Sequence, residues 1–200
     1  MFVARVVAMH VADQQGVDLA QPGAAGAGDG APGVTPIVRI PLAARDAPEA
    51  VVKQVLDVGV LGVMFPDIET RAQAMAAVSS MRVARAAGAD VWPLDPAGTL
   101  VAMLQVETLA GIEHLDEILD VPGIGVIFLG PTDLASSAGE DGPNAPRVEA
   151  LVQEVLEACL ERNIPCGYPI VARTPEDAER ETARRLCEGF TVLAVMTIGR

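Results

Sequence analysis

Apolar runs of strand length recur along the chain, beginning near residues 2, 37, 60, 100, 125, 164 and 190, and segments of helical spacing fill most of the intervals between them. The runs near 100 and 125 carry no charge before their ends and do not alternate, which is the pattern of strands buried on both faces of a parallel sheet. The repeated strand-then-helix unit predicts an α/β fold, a TIM-type (β/α) barrel. Seven strands are counted where a closed barrel of this type has eight. The barrel is therefore expected to be incomplete, with a gap between the strands near 2 and 190, and residues 1–200 to form a single barrel domain.

The intervals carry start and stop signals. Asp46-Ala-Pro48-Glu49 predicts a helix start with Asp46 as N-cap; Val51, Val52, Val55 and Leu56 supply its apolar face, and Gly59 ends it. Further helices are predicted over 69–87, 111–119, 146–162 and, behind Thr174 as cap, 175–187. Residues 135–144 read as loop. Between 21 and 36, five Gly and three Pro preclude a stable helix. No strand leads straight into those glycines, so 21–36 is read as a Gly/Pro/Ala-rich loop insertion that replaces most of a barrel helix, not as a phosphate cradle.

Two runs end abruptly in a carboxylate: Val101-Ala-Met-Leu-Gln105-Val-Glu107, and Gly125-Val-Ile-Phe-Leu-Gly130-Pro131-Thr132-Asp133. The carboxyl ends of strands form the functional face of a parallel barrel, and two acids converging there suit a hard cation whose shell is completed by substrate oxygens and water. Glu107 and Asp133 are read as metal ligands; the alternative is that each acid caps the helix that follows it. Arg39 sits in the short run Ile37-Val-Arg39-Ile-Pro41, where a charge that cannot be shed has to face a site or find a partner. Asp57 falls in the last turn of its helix, beside the unfavourable negative end of the dipole. His10 ends the first apolar run, where a structural role is the alternative to a chemical one.

Composition narrows the choices. With four Phe, one Tyr and one Trp, the core has to be built from Val, Leu, Ile, Ala and Met. A net charge of −13 argues against nucleic acid or an anionic membrane surface as partner, so an anionic substrate needs a local arginine. Cys159, Cys166 and Cys187 are odd in number and lack metal-finger spacing, so they read as reduced thiols and suggest the cytoplasm. No apolar stretch approaches the roughly 20 residues that span a bilayer. Lys53 is the one lysine and lies in a helix, which argues against a Schiff-base mechanism.

Gln105-Val-Glu107-Thr, followed by Phe128-Leu-Gly130-Pro131-Thr132-Asp133-Leu134, resembles the double signature of the HpcH/HpaI aldolase family, relatives of the citrate lyase beta subunit. Val38-Arg39-Ile40-Pro41 resembles the family's Val-Arg-x-Pro, and Leu56-Asp57-Val58-Gly59 its Leu-Asp-x-Gly. The likeness covers nearly the whole chain, strongly from 37 to 135 and loosely before 37. It implies a barrel of the phosphoenolpyruvate/pyruvate-domain kind, lacking the first βα unit and the closing helix. It also implies reversible cleavage of a 4-hydroxy-2-oxo acid to pyruvate and an aldehyde, with Mg²⁺ or Mn²⁺ on Glu107 and Asp133. On the same resemblance Arg39 holds the carboxylate, Gln105, Gly130, Pro131 and Thr132 line the 2-oxo acid, and His10 with Asp57 moves protons. A homo-oligomer is expected.

The sequence departs from that family in three places. Val7 and Met9 stand where an Asp-x-Glu-His pattern has its acids, a long loop with an Arg-Tyr-Pro-Pro segment is replaced by the shorter Arg82-Val-Ala-Arg-Ala-Ala-Gly, and a βα unit is missing. Two rival functions follow: an acyl-CoA lyase of the citrate lyase beta type, and a non-catalytic remnant that keeps the metal-binding strands.

Overall fold

The computed structural model of the protein describes residues 9–11, 37–84 and 90–198. Seven strands form one parallel path: β1 (Met9–Val11), β2 (Ile37–Arg39), β3 (Gly62–Phe65), β5 (Leu100–Val106), β6 (Val126–Leu129), β7 (Cys166–Ala172) and β8 (Val192–Thr197). A two-residue strand that the sequence pattern did not predict, β4 (Val91–Trp92), pairs with the start of β5. Among the described residues β8 pairs only with β7 and β1 only with β2, so the sheet is curled but open, a half-barrel, with the expected gap between its first and last strands. No described helix is long and apolar enough to cross a membrane. The 21–36 segment and the site of the shortened loop after Arg82 lie outside the described residues.

Helices cover the outside of the sheet: α1 (Glu49–Asp57), α2 (Arg71–Ala84), α3 (Leu109–Glu113), α4 (Leu115–Leu119), α5 (Pro131–Ala138), α6 (Pro146–Glu161) and α7 (Pro175–Glu188). The strands are apolar on both faces because each face has its own core. Val63 and Phe65 of β3, Ala102, Leu104 and Val106 of β5, and Ile127 and Leu129 of β6 pack outward, joining Val52 and Val55 of α1 and Val152 and Val155 of α6. The alternate positions Ile37, Met64, Met103, Val126 and Phe128 form a smaller cluster on the other face, inside the half-barrel, with Val101, Val192 and Ala194 against it. Successive side chains of a strand point to opposite faces, so residues two apart share a side. Arg39 and Gln105 thus continue the inner rows begun by Ile37 and Met103.

Several local expectations need correction. Asp46 is not the N-cap of α1; Pro48 holds that position, and Asp46 instead accepts a bond of 2.9 Å from Gln73 Nε2. Of the loop expected over 135–144, the part beyond Ala138 is found but residues 135–138 are helical, because α5 starts at once behind Gly130 and runs to Ala138, where Gly139 ends it in the left-handed conformation at φ 70°. Pro at the first position of α5 suits a helix start, and this outweighs the Ser- and Gly-rich composition downstream. The single helix expected over 111–119 is two, broken at His114, whose φ of −104° and ψ of 15° are not helical. Gly59, at φ 90°, ends α1 as expected, and Thr174 caps α7 by accepting from the Asp177 amide at 3.1 Å.

Candidate active site

Glu107 follows the last residue of β5 and is 4% exposed. Its Oε1 accepts a bond of 3.0 Å from the backbone N–H of Asp67. Its Oε2 is buried without a hydrogen-bond partner. A buried carboxylate oxygen left without a donor is costly, so this is the atom to which a cation or a proton should come. Burial, and then the charge of Asp133, push the Glu107 carboxyl up to about 8, opposed by the Asp67 amide and the positive charge of Arg39.

Asp133 does not stand at the end of β6 itself but in the first turn of α5, three residues after the N-cap Gly130, with an exposed side chain. A negative charge there suits the positive end of the helix dipole. Gly130 joins the two acids. A Cβ built on it would overlap Glu107 Oε2, lie 2.7 Å from Glu107 Cβ and 3.1 Å from Gln105 Nε2. The missing side chain is therefore the space in which the polar ends of Glu107 and Gln105 meet. Gln105 Oε1 is also buried without a partner. The Gly130 amide is taken by the Val106 carbonyl at 3.3 Å and Pro131 has none, so the first-turn amides with no partner inside the helix are those of Thr132 and Asp133.

Arg39, the last residue of β2, is half-buried and close enough to lower the proton affinity of Glu107. The structure thus brings Arg39, Gln105, Glu107, Gly130 and Asp133 to one end of the half-barrel, above the inner layer of Met64, Met103 and Phe128. Asp57 is not brought there. It ends α1, the helix that returns the chain to the start of β3, and its exposed carboxylate pairs with Lys53 at 2.7 Å. His10 lies in β1, in register with Val38, while Val11 is in register with Arg39. The described residues include no group of three or more His, Cys, Asp or Glu side chains able to hold a metal. Glu107 and Asp133 would hold a cation only with oxygens from water or substrate, which is the chemistry of Mg²⁺ and Mn²⁺ sites.

Residues that sequence reasoning missed stand directly behind Glu107. Arg45 Nη1 donates to Asp67 Oδ2 at 2.7 Å, to the Asp67 carbonyl at 3.0 Å and to Glu69 Oε2 at 3.3 Å. Thr108 Oγ1 donates to Glu69 Oε1 at 3.0 Å and also caps α3 by accepting from the Gly111 amide. The only signal in the sequence was an acid immediately after a strand and a proline, which did not show that its backbone amide matters.

The family model for HpcH/HpaI aldolase/citrate lyase matches residues 24–190. The chain belongs to this family. Over 159 residues it is 35% identical to a 2-dehydro-3,6-dideoxy-6-sulfogluconate aldolase of Pseudomonas putida, covering 72% of this chain and 60% of that one. Over 130 residues it is 36% identical to a 2-keto-3-deoxy-L-rhamnonate aldolase of Salmonella schwarzengrund, covering 57% of this chain and 47% of the relative. The chain thus spans about half to three fifths of the length of these curated relatives. An HpcH/HpaI family protein of Burkholderia cenocepacia matches in structure with a TM-score of 0.65 at 24% identity, over 82% of this chain and 67% of that one. Macrophomate synthase matches with a TM-score of 0.62 at 20% identity, over 83% of this chain and 60% of that one. These structural likenesses show a shared barrel-like fold.

Proposed function

We propose that this HpcH/HpaI family member is a divalent-metal-dependent carbon–carbon lyase that reversibly cleaves a 4-hydroxy-2-oxo acid to pyruvate and an aldehyde. The observation that carries the reading is the buried, unpartnered Oε2 of Glu107, facing Gln105 across the space left by Gly130 and lying beside Asp133. Glu107 and Asp133 would hold Mg²⁺ or Mn²⁺, oxygen ligands being preferred by both. Such a cation supplies a Lewis acid that stabilises negative charge developing on a keto oxygen as the neighbouring bond breaks.

The rest of the work falls to side chains of this chain. Arg39 holds the substrate carboxylate by charge-assisted hydrogen bonds, with its half-buried position limiting competition from water. Gln105 donates from Nε2, while Gly130, Pro131 and Thr132 leave room for a small, flat 2-oxo acid. Proton movement is assigned to His10; Asp57, paired with Lys53 on the exposed end of α1, is given no part within this chain's site. Self-association in the cytoplasm belongs to the same reading, its surface being the open edge at β8, where Val195 and Met196 are 41% and 55% exposed. A monodisperse monomer in light scattering at micromolar concentration would oppose that part.

A second reading, a barrel that binds cation and 2-oxo acid without turnover, is favoured by the pairing of Asp57 with Lys53 at the end of α1 that leads into the start of β3. One experiment separates the two. In D₂O with Mg²⁺, the enzyme should exchange the methyl protons of pyruvate, the half-reaction common to such aldol cleavages, faster than a chelated control. Arg39→Ala should suppress the exchange. A folded protein that takes up Mg²⁺ yet leaves the methyl signal untouched would establish the second reading instead.

A further inference from the structure

Asp67 is held in the left-handed backbone region, with φ at 56°, which glycine adopts freely and aspartate only at some cost. It follows Pro66 directly after β3, and its neighbour Ile68 donates to the Gln105 carbonyl at 2.9 Å, so this short segment runs along the end of β5. In that conformation the Asp67 N–H reaches Glu107 Oε1. One atom, Arg45 Nη1, grips both the side chain and the carbonyl of the same residue. The same Nη1 is also held by Glu69, itself tied to Thr108, the residue after Glu107, and Asp46 lies 3.3 Å from Arg45 Nε. Of these bonds, the one from the Asp67 amide reaches the Glu107 carboxylate itself.

We propose that Arg45 and Asp67 are positioning residues for Glu107: the Arg45 clamp keeps Asp67 in its left-handed conformation, and the Asp67 amide then fixes Oε1 so that Oε2 is presented to the cation. The proposal rests on the assignment of Glu107 as a metal ligand. Partners of a ligand outside the coordination shell orient it and set affinity by tenfold or more. Two simpler accounts of Arg45 make opposite predictions. If Arg45 acted only as a positive charge near an acidic site, removing it would tighten cation binding, because Asp67 and Glu69 would be left unneutralised. If it merely held the fold together, its loss would lower the melting temperature of the metal-free protein, and no change at position 67 would restore binding.

Free Mn²⁺ measured by electron paramagnetic resonance during titration tests this, with melting of the metal-free proteins alongside. Arg45→Met is expected to weaken Mn²⁺ binding on the order of tenfold. Arg45→Lys should recover part of the loss, since one ammonium can donate to all three oxygens now served by Nη1. Asp67→Gly keeps the amide and removes the conformational cost, because glycine adopts positive φ freely. It should bind Mn²⁺ nearly as wild type does, and the Arg45→Met/Asp67→Gly double variant should recover most of the affinity lost in Arg45→Met. Arg45→Met binding as tightly as wild type, or more tightly, overturns the proposal, and so does a double variant no better than Arg45→Met. Wild-type protein whose Mn²⁺ uptake is unaffected by Glu107→Gln, or that takes up none, overturns the metal assignment itself and this inference with it.

Discussion

Gly130 and Glu107 are packed so closely that position 130 has room for no side chain: a Cβ there would overlap Glu107 Oε2 and come within 2.7 Å of Glu107 Cβ. The end of β5 and the start of α5 are thereby locked at one distance, and this distance sets where the Glu107 and Asp133 carboxylates stand relative to each other. Gly130→Ala should displace the Glu107 side chain. Overpacking of this kind costs roughly 1–3 kcal/mol. Mn²⁺ affinity should fall about tenfold or more. Thermal melting and a Mn²⁺ titration check both; unchanged Mn²⁺ affinity would show that Oε2 is not the ligand atom.

Burial, with Asp133 next, raises the Glu107 carboxyl from an ordinary 4.5 to about 8. The folded metal-free protein therefore keeps a proton that the unfolded chain sheds near 4.5. Stability from this group is present below 4.5 and is lost as pH rises toward 8, with a slope of at most about 1.4 kcal/mol per pH unit. Glu107→Gln should flatten the fall in melting temperature over that window. A divalent cation, which stabilises the ionised form, should reverse it, and addition of chelator should bring it back.

Arg185 behaves in the opposite sense. It is buried on α7, 4.0 Å above the ring of Tyr168, and its guanidinium bonds Glu149 through two nitrogens at 2.8 Å, with Glu181 and Glu188 also in contact. Its hydrogen bond holds the Glu149 carboxyl below the usual glutamate value of 4.5. That stability is complete above 4.5 and lost as pH falls through the lowered value. Glu149→Gln should cost about 1–3 kcal/mol, since Glu149 is itself partly exposed and two acids still face Arg185. Chemical denaturation at neutral and acid pH should show the penalty shrinking at acid pH.

Asp57 and Lys53 form an exposed pair four residues apart on α1. Such pairs contribute about 0.3–0.5 kcal/mol. Asp57→Asn should leave both melting temperature and Mn²⁺ affinity nearly unchanged. If pyruvate exchange nevertheless falls in that variant while Mn²⁺ binding does not, Asp57 belongs to the proton path.

Much of this protein is legible in the sequence because its cause is local. Apolar runs without alternation marked the parallel strands, Gly59 and Thr174 marked helix ends through backbone geometry and a capping hydroxyl, and Glu107 and Arg39 stood out as charges in or at the end of runs that otherwise had none. The boundaries that failed, at Asp46 and over 135–138, are places where the chemistry of the residue fits two local structures and packing chose between them. Tertiary structure alone decided which strand face looks into the half-barrel. A run apolar on both sides carries no sign of its orientation, and only the curl of the sheet puts Ile37, Met64, Met103 and Phe128 inside, with Arg39, Gln105 and Glu107 above them. It also decided the role of Asp67, which acts through a backbone amide that every residue except proline has, and so leaves no trace in side-chain identity.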